Sequence, residues 1–220
     1  MYIKFWTILY TGFIFYRPPI HTLSYAKCKQ WLRQQEPPFL IYGNTTLFSN
    51  HDHIVPMNCE HLVPKSVLKR NKIDKLAQND LHLLFLSNSR LNSQRQHYRF
   101  DILSDATSTV NLDAFGNTCS KQHAHCRKNT KQGVFEPPME RRGVIARTVG
   151  YYHFTYGVAG EDVLSYRTMM KWNKQYPVTE LEKIRHEHIY QVQQNRNLFV
   201  DFPFFLRFIP IHSLYRKHFM

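Results

Sequence analysis

The stretch Asn58-Cys59-Glu60-His61-Leu62-Val63-Pro64 places a carboxylate directly beside an imidazole, and Asn92 follows later in Leu91-Asn92-Ser93-Gln94-Arg95. Carboxylate and amide oxygens are hard ligands that suit Mg²⁺, and a neutral imidazole can take a proton from water at physiological pH. Hydrolysis of a phosphodiester bond through one metal ion needs these groups together. Adjacent strand residues point to opposite faces, so Glu60 and His61 can serve one phosphate only if the strand ends or bends there.

The chain is strongly basic for its size. Its 220 residues include 29 Lys and Arg against 16 Asp and Glu, which gives a formal charge of +13 at pH 7. Apolar residues make up 43% and aromatic residues 15%, a composition that supports a core and excludes an intrinsically disordered chain. The length fits one domain with tails. The charge indicates a polyanionic partner, either nucleic acid or an anionic membrane surface.

Both ends of the chain differ from its middle. Lys4 precedes an uncharged apolar run over residues 5–16, too short for a membrane span and similar to the hydrophobic region of a signal peptide. We divide the chain into a signal-like or anchoring segment (1–26), a main domain (27–203) and an apolar, basic C-terminal tail (204–220). A signal would imply a secreted or periplasm-like compartment. The alternative, a first strand or helix packed on the core, leaves an intracellular location open.

The chain has four cysteines: Cys28, Cys59, Cys119 and Cys126. They allow two disulfides or four reduced thiols, and the sequence does not choose between them. His123 and His125 lie between Cys119 and Cys126, so four potential zinc ligands are close in sequence. Their spacing fits no zinc finger, and we favour a disulfide or no bond there.

Hydrophobic spacing and chain breakers predict a mixed α and β chain. Strands are expected over 39–42 and 54–63, and helices over 27–35, 89–98, 142–156, 161–176 and from Thr179 to about Asn195. Thr179 with Glu182 fits a capping box. The basic stretch 65–75 is predicted to be loop and irregular turn, residues 87–89 a loop, and residues 104–133 loops with one or two short strands. His82 is expected to be a hydrogen-bonded structural histidine.

Four sequence blocks follow one another along residues 55–203. They are Glu60-His61-Leu62-Val63-Pro64; Asp80-Leu81-His82 with Leu91-Asn92-Ser93-Gln94-Arg95; Glu136-Pro137-Pro138 with Arg142-Gly143-Val144-Ile145-Ala146-Arg147-Thr148; and Trp172-Asn173-Lys174-Gln175-Tyr176-Pro177-Val178-Thr179 with Gln194-Asn195-Arg196-Asn197-Leu198-Phe199-Val200. In this order they resemble bacterial endonuclease I, the periplasmic and secreted DNA nucleases of the His-Me finger (ββα-metal) group.

The resemblance implies an α+β fold with a His-Me finger (ββα-metal) core and additional helices, in which a β-hairpin and a helix clasp one divalent cation. Carried over by position, His61 would be the general base, and Glu60 and Asn92 would hold Mg²⁺, for which Mn²⁺ is an accepted substitute. Residues 27–203 would form a nuclease domain, expected to be a monomer. Its substrate would be DNA, with RNA as a second candidate, cut with little sequence specificity.

Three arginines are candidates for contacting substrate phosphates: Arg95, Arg147 and Arg196. The guanidinium fork binds phosphate oxygens in pairs, and Arg95 shares a helix face with Asn92. For Arg147, pairing with Glu136 or Glu140 is an equal alternative. Contacts to the nucleic-acid backbone alone predict weak sequence preference and steep salt dependence.

Two other functions fit the same sequence. Gln78 and Leu83 depart from the endonuclease I pattern, so a catalytically weak or inactive relative that binds nucleic acid through its basic surface is one alternative. The other is a protein that contacts a membrane surface through the N-terminal run or the C-terminal tail. A membrane contact and nuclease activity are compatible with each other.

Overall fold

The computed structural model describes residues 16–43, 56–105 and 108–209. The helices are α1 (Tyr25–Arg33), α2 (Lys65–Arg70), α3 (Asp74–Ala77), α4 (Ser89–Arg95), α5 (Arg142–Tyr156), α6 (Tyr166–Gln175), α7 (Glu180–Gln193) and α8 (Leu198–Asp201). Short 3₁₀ helices cover Lys121–His123, Met139–Arg141 and Pro203–Phe208. The strands are β1 (Leu40–Tyr42), β2 (Met57–His61), β3 (Leu84–Asn88), β4 (Arg99–Phe100), β5 (Val110–Leu112), β6 (Cys126–Asn129) and β7 (Val134–Glu136).

The first sheet has the strand order β1-β3-β2, with β3 in the centre. Every residue of β3 is buried, as expected for a central strand. β2 runs antiparallel to β3, with Glu60 opposite Phe85 and His61 opposite Leu84. β3 leads directly into α4, because the Asn88 side chain accepts hydrogen bonds from the backbone N–H groups of Arg90 and Leu91 and so caps the helix. Two antiparallel strands followed at once by a helix therefore form one compact unit.

The second sheet and the long helices complete a mixed α+β architecture, as predicted. The second sheet has the order β4-β7-β6-β5. Most of α5 is buried, and a Cβ added at Gly150 would overlap Leu206 and crowd Phe199, so this glycine allows the C-terminal part of the described chain to pack closely on α5. α7 begins as predicted: the Thr179 hydroxyl accepts from the Glu182 backbone N–H.

The predicted element boundaries were correct where hydrophobic spacing was long and regular. Helix α5 occupies residues 142–156 as predicted, and Trp172, Tyr151 and Tyr152 lie in the core. The prediction of loop over 65–75 was wrong, because Val67 and Leu68 provide one buried face for the short helix α2. Residues 87 and 88 extend β3 and are not a loop. The predicted helix over 161–176 begins only at Tyr166, where Ser165 caps it.

Several predictions concern residues outside the described part of the chain. These are the apolar run up to residue 15, the start of the predicted strand at residues 54–55, and the tail from residue 210 onward. All four cysteines are described and carry free thiols. Among the described helices, none combines the length and the apolar character that crossing a membrane requires.

Candidate active site

Glu60 is held on the face of β2 that lies against helix α4. The carboxylate is 3% exposed, and its Oε1 accepts a hydrogen bond from the Tyr42 hydroxyl at 3.0 Å and pairs with the Arg95 guanidinium at 3.1 Å. Oε2 makes no hydrogen bond to any described residue. Burial raises the pKa of Glu60 to about 7, although Arg95 and Tyr42 act in the opposite direction. The negative charge of this carboxylate is therefore only partly compensated.

Asn92 lies on α4 beside the same strand. Its amide nitrogen donates to the Asn58 side-chain oxygen at 2.7 Å and to the Cys59 carbonyl at 3.4 Å. Because a main-chain carbonyl can only accept, the contact with Cys59 fixes the amide orientation and leaves the Asn92 carbonyl oxygen without a partner among the described residues. Asn58 and Glu60 are two apart in β2 and so share a face, which brings Asn92 next to Glu60.

The donor set on this face fits a hard divalent cation. Glu60 offers one carboxylate oxygen and Asn92 one amide oxygen, both without other partners in the part of the chain that is described. A cation beside Oε2 would complete the compensation of the Glu60 charge. Residues 16–43, 56–105 and 108–209 contain no group of three or more His, Cys, Asp or Glu that could hold a metal. A cation held by Glu60 and Asn92 would therefore keep several water ligands, as Mg²⁺ usually does.

His61 is the last residue of β2, and its side chain lies on the opposite face from Glu60. The imidazole contacts the Tyr25 ring of α1, with the centroids 5.5 Å apart. Its Nε2 lies 3.0 Å from the Gln78 carbonyl oxygen. The structure thus groups Glu60 with Asn92 on one face of β2. His61 lies on the other face, and a substrate could contact all three residues only at the end of the strand. The requirement that the strand end at His61 is met.

The surroundings of His61 determine its protonation. Burial, followed by the nearby Lys65 ammonium, lowers the pKa of His61 to about 4. The imidazole is therefore neutral at pH 7. A carbonyl oxygen only accepts, so the hydrogen bond to Gln78 requires the proton on Nε2 and leaves Nδ1 as the basic nitrogen.

Arg95 is buried and holds Glu60 and the end of β2 in place. It is 1% exposed, and beyond Glu60 it donates to the His61 and Leu62 carbonyls. The guanidinium also stacks on the Phe100 ring, 4.5 Å from its centroid. Arg95 thus fixes the Glu60 carboxylate and the end of β2. Its contact with a substrate phosphate stays a prediction.

Arg147 and Arg196 also point to carboxylates of the protein itself. Arg147 is 1% exposed and forms a two-bond pair with Glu182, at 2.8 and 2.6 Å, and so pairs with neither Glu136 nor Glu140. Arg196 pairs with Glu187 and Asp201. None of these contacts involves Glu60 or Asn92, and the phosphate contacts of both arginines stay predictions.

Two supporting residues were not found from the sequence. Asn58 orients Asn92, and its spacing of two from Glu60 on a predicted strand could have identified it. Tyr42 binds Glu60 across the sheet, a contact that depends on the β1-β3-β2 strand order and has no local sequence signal.

His82 belongs to a buried polar network around Asp80. Asp80 is fully buried and accepts hydrogen bonds from Tyr151, Tyr156 and Gln193. The His82 Nε2 contacts the Asn195 carbonyl at 3.3 Å. This supports the predicted structural role of His82.

His82 is expected to make folding stability depend on pH. Burial, then His186 and Arg185, lower its pKa well below 6.5. Below about pH 6.5 the unfolded chain therefore binds a proton at His82 that the folded chain does not bind. The free energy of unfolding then falls by at most about 1.4 kcal/mol per pH unit for this one proton. Urea unfolding at pH 7.5, 6.0 and 5.0 should show a smaller loss in His82→Gln than in the wild type. Parallel pH curves for the two proteins would contradict the assignment.

Comparisons with known proteins place the chain in a family. The family model of endonuclease I matches residues 24–204, which include β2, β3 and α4. The chain is also 25% identical over 188 residues to Endonuclease-1 of Buchnera aphidicola subsp. Acyrthosiphon pisum (strain APS), an alignment that covers 77% of this chain and 69% of that protein. These matches confirm the resemblance found in the sequence blocks: the chain belongs to the endonuclease I family.

Proposed function

We propose that this protein is a metal-dependent endonuclease of the His-Me finger type that hydrolyses phosphodiester bonds of DNA, and of RNA as a second substrate, with little sequence specificity. The observation that carries the proposal is the β2–β3–α4 unit, in which Glu60 and Asn92 lie on one face and each has one side-chain oxygen without a partner among the described residues. Membership of a nuclease family supports a nucleic-acid substrate. The net charge of +13 suits such a polyanion.

In this proposal the cation would lie on one face of β2 and the general base on the other. Glu60 and Asn92 would hold Mg²⁺, with Mn²⁺ as a substitute, and the bound ion would supply charge stabilisation for the phosphate oxygens and the leaving oxygen. His61 would take a proton from the attacking water at Nδ1, while the Gln78 carbonyl keeps its other nitrogen protonated. The scissile phosphate would then lie at the end of β2, where both faces can be reached.

Residues around the pair would keep this arrangement rigid. Tyr42 and Arg95 both bind Oε1 of Glu60, so the other oxygen is directed away from them. Asn58 and the Cys59 carbonyl hold the Asn92 amide nitrogen. Preorganised ligands of this kind reduce the reorganisation that cation and substrate binding would otherwise require.

The test is plasmid nicking by the purified protein at low salt with Mg²⁺, beside the same reaction with EDTA. The proposal predicts nicking that needs the cation and falls steeply as salt is raised. Tight, salt-sensitive DNA binding without nicking in Mg²⁺ or Mn²⁺ would instead identify a binding protein that retains the family fold.

Asn92→Ala is expected to raise the Mg²⁺ concentration needed for half-maximal nicking by roughly 10- to 100-fold or more, because changes outside the direct ligands already weaken metal sites by that factor. Ser93→Ala is the matched control, since Ser93 is exposed on the same helix and its hydroxyl donates to the Ser89 carbonyl, with no other side-chain bond to a described residue. An unchanged Mg²⁺ requirement in Asn92→Ala would remove Asn92 from the proposed ligand set.

A further inference from the structure

An exposed aromatic cluster surrounds the last 3₁₀ helix of the described chain. Its four phenylalanines are each between 38% and 51% exposed: Phe202, Phe204, Phe205 and Phe208. Met170 of α6, which is 37% exposed, lies beside them. Soluble proteins seldom leave so many large apolar side chains together in water, and such patches mark contact surfaces.

Basic side chains border this cluster. Arg167, Lys171 and Lys174 are exposed and recur on one side of α6 at helical spacing. None of the three forms an ion pair with a described residue, and α6 contains no acidic residue. Arg207 is exposed between the phenylalanines, and its Nε donates to the Phe204 carbonyl. We call the four phenylalanines, Met170 and these four cations the aromatic-basic surface.

The two parts of the aromatic-basic surface are continuous. A cavity of about 600 Å³ opens between α6 and the 3₁₀ helix, and it is lined from one side by Met170 and Lys174 and from the other by Phe204 and Arg207. Apolar and cationic side chains therefore line the same opening.

The aromatic-basic surface belongs to other elements than the candidate nuclease site. The endonuclease I match ends at residue 204, so Phe205, Arg207 and Phe208 lie beyond it. These residues belong to elements other than β2, β3 and α4, which carry Glu60, His61 and Asn92.

We infer that the aromatic-basic surface binds the interface of an anionic lipid bilayer. Phenylalanine rings gain free energy when they leave water for the boundary of the acyl chains, and Lys and Arg beside them gain from negative headgroups. The rings favour lipid over stacked nucleotide bases. Phe204 and Phe205 already stack on each other with their centroids 4.1 Å apart, and Phe208 packs on Phe205 at 6.2 Å, so part of the ring surface that a stacked base would need is already covered within the cluster.

The test is co-sedimentation of the full-length protein with vesicles in EDTA, so that nuclease activity does not enter. Vesicles of phosphatidylcholine with phosphatidylglycerol are compared with vesicles of phosphatidylcholine alone. We expect binding to the anionic vesicles and a loss of roughly tenfold or more in Phe204→Ser/Phe208→Ser, from the apolar area no longer buried. Lys171→Gln/Lys174→Gln should lose roughly fivefold per charge.

Matched controls lie elsewhere on the surface. Phe115→Ser removes a ring that is 41% exposed outside the cluster, and Lys69→Gln/Lys75→Gln removes two exposed charges of α2 and α3. Both should bind vesicles like the wild type, and thermal unfolding should show that all variants are folded.

Three results would overturn the inference. They are absence of binding to anionic vesicles at low salt, equal binding by the phenylalanine variant, and a phenylalanine variant that loses binding of a single-stranded oligonucleotide but keeps binding of vesicles. The last result would identify a nucleic-acid surface. Because plasmid nicking is measured without lipid, failure of the vesicle test leaves the proposed nuclease activity to be judged separately.

Discussion

His61→Ala is expected to lower the rate of plasmid nicking by about 10²- to 10⁴-fold, which is the usual contribution of a positioned general base. The Nδ1 atom is the basic nitrogen that the Gln78 hydrogen bond leaves available, and alanine removes it without adding bulk at the end of β2. DNA binding in EDTA should stay within about twofold of the wild type, because His61 is neutral and contributes no positive charge.

The pH dependence of the nicking rate is a second test of His61 as the general base. At saturating Mg²⁺ the wild-type rate should show no step near 6.5, the ordinary pKa of histidine, because burial has already lowered the pKa of His61 to about 4. Loss of the base by protonation would begin only as the pH falls toward about 4. His97→Ala is the matched control, since His97 is exposed on the loop after α4. Nicking by His61→Ala at the wild-type rate would assign the base to another group.

The elements around the candidate site could be predicted from local sequence. The strand predicted over 54–63 contains β2 with Glu60 and His61, and the helix predicted over 89–98 contains α4 with Asn92. The helix over residues 142–156 was also predictable, because a long apolar pattern is buried whatever packs against it.

The roles of the arginines could not be predicted in the same way. A guanidinium binds phosphate and carboxylate equally well, so the sequence of Arg95 or Arg147 gives no sign of which partner it meets. Their partners Glu60 and Glu182 lie 35 residues away along the chain in each case, and only the packing of α4 on β2 and of α5 beside α7 brings them together. Both arginines are 1% exposed and bind these carboxylates, and their contact with substrate phosphates stays a prediction.

The short helix α2 shows the opposite difficulty. Its lysines and arginine dominate the local composition, so the sequence predicts a solvated loop. The two adjacent apolar residues Val67 and Leu68 nevertheless pack this short helix against the core. Tertiary packing here outweighs composition, as it often does for helices shorter than two turns.

The buried pair of Arg147 and Glu182 should have the largest effect on stability. Glu182→Gln is expected to lower the free energy of unfolding by about 3–5 kcal/mol, because it leaves the Arg147 charge buried with only amide and carbonyl partners, from Asn173 and Tyr176. For a chain of this size that corresponds to a fall of roughly 10 °C or more in the thermal midpoint. The double variant Arg147→Met/Glu182→Leu should recover much of the loss, since replacing both charges by apolar groups removes the uncompensated charge.

Glu180→Gln is the matched control for this pair, two residues earlier on the same helix. Glu180 pairs with Lys183, and the two side chains are 76% and 59% exposed, so solvent screens their attraction and the change should cost less than about 1 kcal/mol. A similar loss in Glu182→Gln and Glu180→Gln would mean that the buried pair is worth no more than a surface one. In that case Arg147 would lack a structural reason to stay bound to Glu182, and its predicted contact with substrate phosphate would have to be reconsidered.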